Sequence, residues 1–149
     1  MNFRLNFVCL SFKYVTKNDT LILLGDVGDI ECVKKLRGYK VLIKGNHDKG
    51  NSYYKDVFDE VYEGPLFISQ RILLSHEPIY GLDFCLNIHG HDHNLEHIGD
   101  ETHLNLASNV CGYKPIHLQK DVIEKGLLRE IKDIHRITID NAIESDPKN

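Results

Sequence analysis

The chain has 149 residues, 42% hydrophobic and 27% charged, which is the balance of one ordinary globular domain, and no run of about twenty apolar residues could span a membrane. A formal net charge of −4 argues against a dedicated grip on nucleic acid, because phosphate backbones are met by net basic surface. Four scattered cysteines (Cys9, Cys32, Cys85 and Cys111) form no CxxC pair and suit small buried apolar residues in a reducing cytosol better than a disulfide framework.

Met1 to Leu10 carries Arg4 and a few apolar residues but no apolar core region and no small-residue cleavage site, so it does not read as a signal peptide. A cytoplasmic location is expected. Thr20 to Leu24 is a short apolar run stopped by Gly25, the pattern of a buried strand. Asp29 to Leu36 places Ile30, Val33 and Leu36 at helical spacing, with Asp29 as N-cap and Gly38 just beyond the end. Tyr39 to Lys44 is a second strand, stopped by Gly45, and Ser52 to Phe58 a short helix or turn. Leu66 to Ser69 and Arg71 to Ser75 read as two β-segments around Gln70, Cys85 to His89 as a strand broken by Gly90, and Thr102 to Val110 as a further strand. From Leu118 to Ile131 an apolar stripe of Leu118, Val122, Ile123, Leu127 and Ile131 predicts an amphipathic helix, weakened by Gly126. Ile134 to Ile139 reads as a last strand, with a frayed tail over about residues 140–149. No repeat or linker interrupts the chain, so residues 1–149 are expected to form a single α/β domain.

Four of these strands end on residues that can bind metal. Leu24 runs into Gly25-Asp26, Lys44 into Gly45-Asn46-His47-Asp48, Leu74 into Ser75-His76-Glu77-Pro78, and Ile88 into His89-Gly90-His91-Asp92-His93. Ligand sites of open α/β sheets lie beyond the carboxyl ends of the strands. Taken singly, each fragment has an ordinary reading as a turn or as a satisfied loop histidine. Together they deliver Asp, Asn, His and His-x-His to one edge, a nitrogen–oxygen set without thiolate that suits manganese, iron, zinc or nickel.

The series Gly25-Asp26, Gly45-Asn46-His47-Asp48, Ser75-His76-Glu77-Pro78 and Gly90-His91-Asp92-His93 resembles the calcineurin-like metallophosphoesterases, and residues 108–115 (SNVCGYKP) resemble the segment after the site in small bacterial and phage members. The likeness runs from about Asp19 to Ile131. It implies an αββα sandwich with the site along the upper edge of its sheets, and hydrolysis of a phosphodiester or phosphomonoester by a metal-activated hydroxide. It also implies a metal set of Asp26, Asn46, His76, His91 and His93 holding one or two divalent ions. Asp26 would bridge two ions, Asn46, His76 and His91 would complete the second, and His93 would bind the first. His47 would act on the phosphate or the leaving oxygen, and Asp48 would orient His47. The expected partner is a small phosphoester, with neither a membrane nor nucleic acid as a stable partner.

One departure matters. Family members open with a strand ending in Asp-x-His, whereas Leu5 to Phe12, the segment in that position, ends in Ser11-Phe12-Lys13. The first strand is therefore expected to be missing or altered, and the first ion keeps only Asp26 and His93. Three readings stay open: a shortened form of a longer protein, which ranks first; an enzyme that works with one ion; or a metal-binding domain that is catalytically weak or inactive.

Overall fold

The first apolar run forms strand β1 (Thr20–Leu23), and the helix that follows it, α1 (Ile30–Lys34), starts where the Asp29 carboxylate accepts the Glu31 amide at 3.0 Å. Strand β2 (Tyr39–Ile43) lies parallel to β1, in register from Thr20 with Tyr39 to Leu23 with Leu42. After the short helix α2 (Asn51–Tyr54), strand β3 (Glu60–Tyr62) adds in parallel to β2 and completes a sheet ordered β1-β2-β3. The second sheet is ordered β4 (Leu66–Ser69), β5 (Ile72–Ser75), β6 (Leu86–His89) and β7 (His103–Asn105). Its β4–β5 pair is antiparallel, while β5–β6 and β6–β7 are parallel. The result is a mixed α/β fold with two sheets, seen here as a computed structural model that describes residues 13–132. The candidate first strand over residues 5–12, the last strand over 134–139 and the tail from 140 lie outside the described residues. Among the described residues no helix is long and apolar enough to cross a membrane.

Alternation along the strands makes two cores, because successive side chains point to opposite faces. Leu21 and Leu42 join Val33, Leu36, Tyr54, Val57 and Phe58 on the helix side of the first sheet. Ile22, Leu24 and Ile43 point the other way and meet Ile72, Leu74, Leu86 and Ile88 of the second sheet. The remaining face of the second sheet is polar inside. Asn87, 1% exposed, donates to Ser75 Oγ at 2.8 Å and accepts the Ile79 amide at 2.8 Å. Asn105, 2% exposed, donates to the Asp92 and His97 carbonyls at 2.6 and 2.9 Å. These satisfied amides pin the loops that leave β5 and β6.

Three elements differ from the sequence reading. Strand β3 is absent from that reading, since three residues are too few to show a period; flanking polar pairs hold it, with Tyr39 Oη on Glu60 and Lys44 Nζ on Glu63. The strand expected over Thr102 to Val110 keeps only β7, because Asn105 Oδ1 takes the Ala107 amide at 2.9 Å and turns the chain. The helix expected over Leu118 to Ile131 is a π-helical stretch (Leu118–Ile123) followed by turns, with Gly126 left-handed at φ 78°. Leu118, Val122 and Ile131 still reach the core, whereas Ile123 and Leu127 are exposed.

Arg71, just before β5, fastens this last segment by donating from Nη2 to the carbonyls of Leu128 and Ile131. Arg71→Met keeps the stem but removes the charged donor from both carbonyls, leaving Leu128 with the Ile131 amide at 3.3 Å. Hydrogen bonds from a charged donor contribute about 1.5–3 kcal/mol, so the urea midpoint should fall by a corresponding amount with an unchanged slope. An unmoved midpoint would show that the segment is held by its apolar contacts alone.

Candidate metal centre

The carboxyl ends of β1, β2, β5 and β6 meet at one edge, where the two sheets come together. His76, just past β5, is 6% exposed and places Nδ1 2.6 Å from the carbonyl oxygen of Leu24, just past β1. A carbonyl only accepts, so Nδ1 carries the proton, and Nε2 of the neutral ring presents a lone pair. That lone pair faces Asn46 Oδ1 at 3.0 Å, His91 Nδ1 at 3.0 Å and Asp26 Oδ2 at 3.3 Å. The ligand atoms of Asp26, His76 and His91 all lie within 4.8 Å of one another. Acceptors so close repel unless a cation or a proton sits among them. This donor set therefore fits a divalent ion of the manganese, iron, zinc or nickel type, for which a proton would compete.

The backbone is bent to make this convergence. Among the described residues Asp26, His91 and Tyr113 are the non-glycines with positive φ, at 50°, 63° and 59°. Two of the three belong to the cluster, and left-handed backbone at such residues costs about 1–3 kcal/mol each, a strain typical of functional sites. Two glycines leave room for the ring. A Cβ on Gly25 would come within 2.5 Å of His76 Nδ1, and one on Gly45 within 2.8 Å of His76 Cε1.

The other expected site residues take different positions. His93 lies outside the cluster: its Nδ1 is 2.8 Å from Asn109 Oδ1, and Asn109 Nδ2 donates to the His93 carbonyl at 2.8 Å. His47 is exposed beside Asn46, and its backbone amide donates to Asp26 Oδ1 at 3.0 Å. The Asp48 carboxylate accepts the amides of Asp26, Gly45 and Val27 and the Tyr54 hydroxyl. It ties the β1 and β2 loops together, and the expected bond to the His47 imidazole is not among these contacts. Asp92 turns aside to the Asn94 amide and the His97 ring, which hold its carboxyl below the usual range. His89 is buried, which pushes its imidazole below the ordinary histidine value.

Three participants escaped sequence reasoning. The Leu24 carbonyl has no sequence signature. Tyr54 looks like a core aromatic. Asn109 stood in the family-like tail without a role of its own.

No family model matches the chain. Over 117 residues it is 32% identical to an uncharacterized protein of Methanocaldococcus jannaschii, MJ1445; the match takes in 70% of this chain and 61% of that protein, so the chain spans under two thirds of that relative's length. The crystal structure of AQ665, a protein of unknown function from Aquifex aeolicus, has the same fold with a TM-score of 0.67 and 28% identity, over 83% of this chain and 84% of that one.

Gly45→Ala should test the geometry. Its methyl would press on Asp26 and the His76 ring, whereas a methyl on Gly50 meets nothing within 4 Å. Titration with Mn²⁺ should show binding about tenfold or more weaker in Gly45→Ala and unchanged in Gly50→Ala, in keeping with the sensitivity of metal sites to their supporting contacts. Equal affinities would place the ion elsewhere.

Proposed function

We propose that the chain is a metal-dependent phosphoesterase acting on a small phosphoester, built on an αββα sandwich of the calcineurin-like metallophosphoesterase type. The observation that carries this reading is the convergence of Asp26, Asn46, His91 and Nε2 of His76 at one sheet edge. These four residues would hold a divalent ion. Such an ion, when bound, supplies a more acidic water and neutralises charge on the phosphoryl oxygens.

The chain's own residues supply the rest. Asp26 divides its carboxylate, with Oδ2 turned to His76 and Oδ1 fixed by the His47 amide. That bond sets the start of the His47 side chain beside the ligand carboxylate. From there the exposed imidazole would meet a phosphoryl oxygen or pass a proton to the departing oxygen. Asp48 serves the site as the brace of its two loops.

A second reading, a metal-binding domain with weak or no turnover, is favoured by one specific observation. Among the described residues Asp26, His76 and His91 form the single group of His, Cys, Asp and Glu able to hold an ion, and His93 stands apart on Asn109. Both readings therefore expect close to one ion per chain after loading.

Turnover separates them. With Mn²⁺ and a bis-aryl phosphate, wild type should hydrolyse the ester, and His47→Ala should keep its metal while losing about 10²–10⁴ in rate, the usual cost of a lost acid–base group. Asp26→Asn should lose metal and rate together. Metal release by His47→Ala would make His47 a ligand, and an inert, fully loaded wild type would favour the binding domain.

A further inference from the structure

We propose that Tyr54 is a positioning residue for the metal centre, its buried hydroxyl fixing Asp48 so that Asp48 holds the Asp26 and Asn46 loops at the spacing their side chains need. The inference rests on the metal-binding reading above and extends it to a residue on α2 that touches neither ion nor substrate.

The contacts form a chain from core to site. Tyr54 is 3% exposed, and its ring packs edge-on against Phe58 and Tyr53, at centroid distances of 5.9 and 5.1 Å. From that anchored ring the hydroxyl donates to Asp48 Oδ1 at 3.1 Å and accepts the Lys49 amide at 3.0 Å. Asp48 Oδ1 also accepts the Val27 amide at 2.9 Å, and Oδ2 accepts the Asp26 and Gly45 amides, each at 2.8 Å. One carboxylate thus takes two donors on each oxygen and joins the β1 loop, the β2 loop and α2.

A carboxylate with three backbone donors is already well satisfied, so the hydroxyl is not needed for its charge. What the hydroxyl adds is location. It ties an otherwise loop-borne group to the hydrophobic core. Burial, reinforced by the Asp48 charge, pushes the Tyr54 phenol up, so it keeps the proton it donates. Metal-supporting contacts outside the ligand set typically change affinity 10–100-fold when lost, and a contact two bonds removed should sit at the lower end.

The test compares wild type, Tyr54→Phe and Tyr53→Phe, the last removing the neighbouring hydroxyl on the same helix. Amide hydrogen exchange without metal should speed up about tenfold at Asp26, Val27 and Gly45 in Tyr54→Phe, with little change in Tm because the ring remains. The Kd for Mn²⁺ should weaken about tenfold. Tyr53→Phe should alter neither. In wild type the same three amides, all on Asp48, should exchange with similar protection, and protection spread over more than about a hundredfold would overturn the brace without any variant. Unchanged exchange in Tyr54→Phe, faster exchange with an unchanged Kd, or equal effects of the two variants would each overturn the proposal. A wild type that takes up no Mn²⁺ overturns the metal-binding reading instead, and the exchange data then decide the brace alone.

Discussion

The bond from His76 Nδ1 to the Leu24 carbonyl is the contact on which the rest of the site depends. It crosses from the second sheet to the first, at the edge where both sets of parallel strands end. It also fixes which imidazole nitrogen faces Asp26, Asn46 and His91, and so points a histidine at a sheet junction into the cluster. Leu24 lies past the end of β1 and its carbonyl has no ladder partner there; left unpaired and buried, it would cost about 1–3 kcal/mol. The ring is thus required by the fold and available to chemistry at once. The adjacent glycines follow from the same fact, since the imidazole fills the space their Cβ atoms would need.

A second constraint lies on the polar face of the second sheet. Hydrophobic residues at Asn87 and Asn105 would pack well enough in a sheet interior, yet both positions carry amides that are fully engaged. Buried amides that find all their partners exchange general stickiness for fixed loop paths. Those paths bring His76, His91 and His93 past the ends of β5 and β6. The histidines therefore stand on turns whose backbone is held from within the sheet, which suits a site that needs its ligands in place beforehand.

Much of this could be read from the chain before any coordinates. Apolar runs stopped by Gly25, Gly45 and Gly90, each followed by Asp, Asn or His, announce strands that deliver polar groups to one edge, and β1, β2, β5 and β6 are found there. Other features were hidden for identifiable reasons. The ring orientation of His93 is decided by Asn109, sixteen residues on, and a spacing rule cannot see it. Asp48 was expected to serve an imidazole; in the folded chain its carboxylate takes the amides of Asp26, Val27 and Gly45. The apolar stripe from Leu118 to Ile131 has two solutions, a regular helix or a π-helical turn that reverses at a left-handed Gly126. Periodicity alone does not separate them, because Leu118, Val122 and Ile131 turn to the core in either case.

The two-sheet origin of the cluster has a thermodynamic consequence. Asp26 and Asn46 belong to the first sheet, His76 and His91 to the second, so an ion bound among them would clasp the sheets together at their shared edge. Binding energy and cohesion would then be one quantity, since anything that binds only the assembled edge stabilises it by RT ln(1 + [L]/Kd). A chelator would act on such a protein as a local denaturant, loosening the seam between the sheets while leaving the apolar clusters beneath it packed.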